Sequence, residues 1–169
     1  MSADQYKPHL LLLPEDKANR DLANRFLLGI ANGFSPEGAS RARQFQVLGF
    51  PGGWGKVVEE FGETHIASMN RFPLRYMILL IDFDEQKARL ETLQKNIPDE
   101  LKDRVFVIGV WSEPEKLKSG IGFSYEVIGT ALAKECRDNA FNLWNHELLK
   151  HNADEVERMR VALKPLFFA

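Results

Sequence analysis

The sequence predicts an α/β fold: a doubly wound, mainly parallel four-stranded sheet followed by a C-terminal helical extension. Up to residue 112, short apolar runs alternate with helical patterns. The runs are continuously apolar, which is typical of parallel strands buried on both faces. After residue 112 only helical patterns remain. Because crossovers between parallel strands are right-handed, helices are expected on both faces of the sheet.

The first strand and the first helix follow one another directly. Residues 9–13 form an apolar run that ends at Pro14, which indicates a buried strand. A helix is expected over about residues 17–31, and Asn32-Gly33 stops it. Its apolar residues recur at spacings of three and four, as in an amphipathic helix: Leu22, Ala23, Phe26, Leu27 and Ile30.

Three further strands are predicted, over residues 44–50, 75–81 and 104–110. The third strand of the chain is the most hydrophobic segment and ends abruptly in Asp82-Phe83-Asp84-Glu85. Helices are expected over about 54–69 and 85–95. The second of these carries Glu85/Arg89 and Lys87/Glu91 pairs at i,i+4, which is typical of a solvated face.

The whole chain, residues 1–169, is expected to form one domain. Residues 8–112 would make the α/β core, and residues 113–169 would make the helical extension packed on it. No linker composition separates the two parts, and 169 residues suit a single core.

The charge and the cysteine content of the chain exclude several classes of protein. The net charge is −2, whereas a domain that grips nucleic acid by charge alone is usually basic. The single cysteine, Cys136, allows no intrachain disulfide, and its apolar neighbours predict a buried thiol. The N-terminus lacks the pattern of a signal peptide and no apolar run could span a bilayer, so we expect a cytoplasmic protein without membrane contact.

Acidic residues follow two strands that should be neighbours. Glu15 follows the first strand, and Asp82 and Asp84 follow the third. In the common strand order 2-1-3-4 these ends meet at the edge where open α/β sheets bind ligands. Three close carboxylates repel unless a cation intervenes, and hard oxygen ligands suit Mg²⁺ or Mn²⁺. The alternative is that acids such as Asp16 or Asp84 only cap the following helices.

Two other segments could contribute to a site. Gly53, Gly55 and Lys56 follow the second strand, where backbone N–H groups and one cation could bind a phosphate. A plain tight turn explains these glycines better, because the spacing matches no phosphate-binding fingerprint. Glu113 and Glu115 follow the fourth strand and could add acidic groups, although helix capping explains them more simply.

The acidic pattern resembles the Toprim domain, the metal-binding module of topoisomerases, bacterial primases and OLD-type nucleases. The resemblance covers about residues 8–112 and rests on Glu15 after the first strand and Asp82-Phe83-Asp84 after the third. It implies that Glu15 is the general acid/base and that Asp82 and Asp84 are metal ligands. It also implies Mg²⁺-dependent chemistry on the phosphodiesters of DNA or RNA.

The expected function is therefore a nuclease or the catalytic subunit of a nucleic-acid-processing complex, acting with a protein partner or as a homo-oligomer. Two alternatives remain open. A receiver-like signalling domain would use Glu15-Asp16 and Asp82 around Mg²⁺ and accept a phosphoryl group, but its fifth strand ending in Lys is missing. A non-catalytic interaction module would use the helical extension as its interface.

Overall fold

A computed structural model describes residues 7–32 and 44–168 of the chain. It contains one parallel sheet of four strands: β1 (His9–Pro14), β2 (Phe45–Val47), β3 (Arg75–Leu80) and β4 (Val105–Ile108). The strand order is β2-β1-β3-β4, so the predicted fold class and order are confirmed. Strand β2 is shorter than predicted, since residues 48–50 leave the ladder before Pro51.

Helices follow each strand. Along the chain they are α1 (Lys17–Asn32), α2 (Trp54–Glu60), α3 (Ile66–Arg71), α4 (Lys87–Lys95), α5 (Pro114–Ile121), α6 (Tyr125–Asp138) and α7 (Ala153–Leu163). A π-helical turn (Phe61–His65) joins α2 to α3. No helix in the described part of the chain is long and apolar enough to cross a membrane.

The sheet separates two apolar cores, because successive residues of a strand point to opposite faces. Leu10 and Leu12 of β1 pack with the side chains of α1, α6 and α7 on one face. Leu11 and Leu13 pack with those of α2, α3 and α4 on the other. Helices thus cover both faces, as a doubly wound sheet requires.

The C-terminal helices complete the first of these cores. Helix α6 crosses α1 closely at Gly129, where a Cβ atom would lie 2.9 Å from the carbonyl oxygen of Leu22. Cys136 of α6 is 1% exposed, which confirms the predicted buried thiol. The segment after residue 112 therefore packs on the sheet through the same apolar cluster as β1.

The carboxyl ends of β3 and β4 are held together by backbone and side-chain contacts. A Cβ atom at Gly109 would lie 1.7 Å from the carbonyl oxygen of Ile81, so this position tolerates only glycine. The buried Asn152 amide hydrogen-bonds both the N–H and the C=O of Gly109 at 3.1 and 2.9 Å. These contacts fix the edge of the sheet that carries the acidic residues.

Candidate metal centre

Glu15 is anchored at the end of β1. Its N–H donates to the carbonyl oxygen of Leu80 at 2.8 Å, which continues the pairing with β3. Its carboxylate turns toward that strand, and Oε2 accepts the backbone N–H of Asp82 at 2.6 Å. The side chain is largely buried, with 8% of the residue exposed. The two strand ends are thus joined through an acidic side chain.

Asp16 caps helix α1. Its Oδ1 accepts the backbone N–H of Asn19 at 3.0 Å, the usual bond of an N-capping aspartate. The alternative expectation of capping is therefore correct for Asp16. Capping occupies Oδ1 only, so the carboxylate retains acceptor capacity.

Asn19 connects Asp16 with Asp82. Its Nδ2 donates to Oδ1 of Asp16 at 3.0 Å and to Oδ1 of Asp82 at 2.8 Å. The residue is completely buried, yet its Oδ1 has no hydrogen-bond partner within the described ranges. A buried amide oxygen without a partner is costly, and it is also a ligand type that divalent cations accept.

Three carboxylates consequently share one small volume. One oxygen from each of Glu15, Asp16 and Asp82 lies within 4.8 Å of the others. The proximity of Glu15 and Asp82 matches the sequence expectation, whereas Asp16 replaces Asp84 as the third member. Carboxylate oxygens at this separation can coordinate a single Mg²⁺ or Mn²⁺ ion, and such ions prefer oxygen ligands.

Burial and mutual repulsion alter the acidity of this group. Desolvation, together with the charges of Glu15, Asp16 and Glu115, raises the pKa of Asp82 to about 7, although the Asn19 hydrogen bond opposes this change. Desolvation also raises the pKa of Glu15, against the hydrogen bond from Asp82. A divalent cation would favour the charged forms of both carboxylates.

No family model, curated protein or solved structure matches this chain. Its function must be inferred from the geometry of this edge of the sheet.

Asp84 lies outside the carboxylate group. Its backbone has φ of 49°, and its N–H donates to the carbonyl oxygen of Ser112 at 3.3 Å. The side chain is 68% exposed and lies 3.4 Å from the guanidinium of Arg89. The turn after β3 therefore separates the two aspartates of Asp82-Phe83-Asp84, and Asp84 is not a member of the group formed by Glu15, Asp16 and Asp82.

Arg89 was expected on a solvated helix face, but it lies against the site. Only 15% of its side chain is exposed, and Nη1 donates to the carbonyl oxygen of Asp82 at 2.8 Å. Its guanidinium also lies 5.3 Å from the centre of the Trp54 ring. The expected Glu85 pair does not form within a helix because α4 begins at Lys87. Arg89 instead supplies positive charge close to Glu15.

The glycine-containing loop after β2 borders the same edge. Gly52 has φ of 94°, and its N–H donates to the carbonyl oxygen of Glu15 at 2.9 Å. Gly53 is the N-cap residue of α2, and both Gly55 and Lys56 are exposed in the first turn. These contacts support a tight turn that holds Glu15. A role for Gly53, Gly55 and Lys56 in binding phosphate stays a prediction.

The acidic residues after β4 differ from one another. Glu113 occupies the N-cap position of α5, but its side chain makes no capping hydrogen bond. Glu115 is exposed, and its charge contributes to the raised pKa of Asp82. Glu115 thus belongs to the electrostatic surroundings of the carboxylate group.

Sequence reasoning missed Asn19 and Arg89. The spacing of Asp16 and Asn19 in the sequence indicates a helix cap, but it does not reveal that the Asn19 amide reaches Asp82. Nothing in the sequence around Arg89 indicates a role at the site, apart from its position soon after the acidic turn. Both contacts depend on how the helices meet the sheet edge.

Proposed function

We propose that this chain is a Toprim-like domain that binds Mg²⁺ or Mn²⁺ and acts on the phosphodiester bonds of nucleic acid. The observation that carries the proposal is the meeting of Glu15, Asp16 and Asp82 within 4.8 Å at the carboxyl edge of the sheet. Repulsion makes this arrangement unfavourable unless a cation binds or one of the acids keeps its proton. The buried, unpartnered Oδ1 of Asn19 fits the same interpretation.

Each residue of the group has a distinct task in this proposal. Asp82 and Asp16 hold the ion. When bound, the ion supplies positive charge that orients a phosphate and stabilises negative charge on it. Glu15 moves a proton as general acid/base, and burial, which raises its pKa, favours the protonated form of this carboxyl more than that of an exposed one. Arg89 keeps the end of β3 in place through the carbonyl oxygen of Asp82.

DNA or RNA is the proposed substrate, and the charge of the chain limits how it is bound. With a net charge of −2 the chain offers little sequence-independent attraction to a phosphate backbone. We therefore propose that a protein partner or a second copy of the chain contributes to substrate binding in the cytoplasm.

The test is metal-dependent cleavage of single- and double-stranded DNA and RNA in Mg²⁺ and in Mn²⁺. We expect cleavage by the unmodified protein, loss of cleavage in Asp82→Asn, and loss of cleavage with retained Mn²⁺ binding in Glu15→Gln. Asp84→Asn is the matched control, because that carboxylate lies outside the group. An unmodified protein that binds Mn²⁺ but cleaves none of the four substrates would contradict the catalytic proposal.

A receiver-like function is the second candidate, because the group contains the residues that it requires: Glu15, Asp16 and Asp82. Against it, the sheet formed by the described residues has four strands, so the fifth strand of a receiver is not among them. Incubation with a small phosphodonor and Mg²⁺ separates the two functions. Stable phosphorylation of Asp82 would favour the receiver, and cleavage without it would favour the nuclease.

A further inference from the structure

An open cleft begins at Lys17, one residue after Asp16 of the carboxylate group. It lies between the start of α1 and the turn that joins α5 to α6, and its volume is about 800 Å³, within the range of small-molecule sites. Its walls include both charged and aromatic side chains: Lys17, Asp21, Glu115, Lys118, Phe123 and Tyr125.

Phe123 is held in an exposed position by the chain around it. The residue is 56% exposed although it is large and apolar. Gly122 before it ends α5 in a left-handed conformation with φ of 80°, and its N–H donates to the carbonyl oxygen of Lys118 at 2.9 Å. Ser124 after it caps α6 by accepting the N–H of Val127 at 3.3 Å. Two helix caps thus fix the backbone on both sides of an exposed ring.

One face of the neighbouring Tyr125 ring is already occupied. The Nζ atom of Lys118 lies 5.1 Å from the centre of that ring, a cation–π contact. In contrast, no ring and no cation from the described residues stacks on Phe123. Phe123 is therefore available as a stacking surface within the cleft.

The charges of the cleft suit the uncharged part of a nucleotide. Lys17 and Lys118 are offset by Asp21 and Glu115, so the cleft carries no excess charge for a phosphate. Its hydroxyl groups, from Ser119, Ser124 and Tyr125, are suited to hydrogen bonds with a base or a sugar. A phosphate would instead be drawn to a cation in the carboxylate group.

The cleft and the carboxylate group share one edge of the fold. Burial, followed by the charges of Glu115, Asp16, Asp21 and Asp82, raises the pKa of Tyr125 to about 12. Glu115 also acts on Asp82, and Lys17 directly follows Asp16 in the chain. A nucleotide phosphate at the carboxylate group would consequently place its own or an adjacent base near the cleft.

We propose that this cleft binds one unpaired nucleobase of a DNA or RNA strand, stacked on Phe123, next to the phosphate held at the carboxylate group. The proposal rests on the proposed function, since it names the substrate class of the same site. A paired base is already stacked within its duplex, so the cleft selects single-stranded over double-stranded nucleic acid.

The experiment combines a change in the protein with a change in the ligand. Fluorescence anisotropy measures binding of labelled oligothymidine, and of the same strand with abasic sugars, to the full chain in Mn²⁺, with Glu15→Gln in every protein compared so that the strand is bound but not cleaved. Phe123→Ala should weaken binding of oligothymidine by about 5- to 150-fold, the range for loss of one base–aromatic stack, and should not change binding of the abasic strand. Phe123→Leu, which keeps apolar area without a ring, should show an intermediate loss.

Phe141→Ala is the matched control, because Phe141 is also exposed but lies outside the cleft. It should bind oligothymidine as the unmodified protein does. Equal binding by Phe123→Ala and the unmodified protein would overturn the proposal. An equal loss on the abasic strand, or no binding of any strand by the unmodified protein, would also overturn it.

The outcomes separate this proposal from the proposed function. If the unmodified protein binds no Mn²⁺ but binds oligothymidine through Phe123, the metal-dependent function fails and the base site stands. If Mn²⁺-dependent cleavage occurs and Phe123→Ala changes neither binding nor cleavage, the base site fails alone. A competing duplex of the same sequence should bind less tightly than the single strand, and equal binding would contradict the selection for unpaired bases.

Discussion

The backbone N–H of Asp82 donates a 2.6 Å hydrogen bond to Oε2 of Glu15. This bond joins the carboxyl ends of two neighbouring parallel strands through an acidic side chain that is almost completely buried. It also brings the Glu15 carboxylate toward that of Asp82, whose own negative charge disfavours a second one nearby. The fold thus holds together two groups that would separate if only their charges mattered.

Stability without metal should depend on the protonation of Asp82. Its pKa is raised to about 7 in the folded chain, against an unfolded value of 3.8. Between these values the folded state binds more protons than the unfolded state, so stability should fall as pH rises through this window. Chemical denaturation of the metal-free protein across this pH window should show that the free energy of unfolding decreases by an amount on the order of a few kcal/mol.

Asp82→Asn should remove that pH dependence, because the amide stays neutral and can still accept the hydrogen bond from Asn19. It should also make the metal-free protein more stable above neutral pH. Saturating Mg²⁺ should make the stability of the unmodified protein less dependent on pH, because the ion stabilises the charged carboxylate of Asp82. A profile of Asp82→Asn that falls as steeply as that of the unmodified protein would assign the effect to another group.

Asn19→Ala should destabilise the protein by about 2 kcal/mol, because the buried side chain donates two hydrogen bonds within the site. The backbone N–H of residue 19 can still donate to Oδ1 of Asp16, whereas both hydrogen bonds from the side-chain Nδ2 are lost. Thermal or urea denaturation measures the effect. Asn24→Ala, in the exposed part of the same helix, is the control and should change stability by less than about 0.5 kcal/mol.

Two alanine substitutions of glycine should act in opposite directions. Gly109→Ala places a methyl group 1.7 Å from the carbonyl oxygen of Ile81, and it should destabilise the fold by more than about 3 kcal/mol. Gly55→Ala meets no atom within 4 Å and lies in the first turn of α2, so it should stabilise the protein by up to about 1 kcal/mol. Similar melting temperatures for the two variants would contradict the close approach at Gly109.

Glu85→Gly should increase stability by up to about 1 kcal/mol. Glu85 has φ of 58°, a left-handed conformation that costs roughly 1–2 kcal/mol for a residue with a Cβ atom. Gln86→Gly is the control, because Gln86 has φ of −115° and gains nothing from glycine. If both variants lose stability equally in urea denaturation, the left-handed turn is not strained.

The sheet and the meeting of Glu15 with Asp82 could be predicted because each depends on local signals. Continuous apolar runs define β1 and β3, and the acidic residues follow directly where those runs stop. Strand order then brings the two ends together. The end of β2 differs from the expected one, because its ladder contains only Phe45–Val47, although the N–H of Leu48 still donates to the carbonyl oxygen of Leu12 at 2.8 Å.

The remaining members of the site could not be predicted because they depend on distant packing. Asn19 reaches Asp82 across 63 residues of sequence, and the contact requires the first turn of α1 to lie against the end of β3. Asp84 leaves the group because the chain takes a left-handed turn at a residue that is not glycine. Arg89 is half-buried at the edge, although its charged neighbours in sequence are typical of a solvated helix.

The central claim is that Asp16 and Asp82, beside Glu15, hold a divalent cation, and calorimetric titration with Mn²⁺ at about pH 8 tests it most directly. At that pH Asp82 is charged, since its pKa is about 7. We expect one ion per chain and a loss of affinity beyond about 100-fold in Asp82→Asn, whereas Asp84→Asn should lose less than about tenfold, as a residue outside the ligand set would. Binding of Mn²⁺ by Asp82→Asn as tight as that of the unmodified protein would contradict the claim.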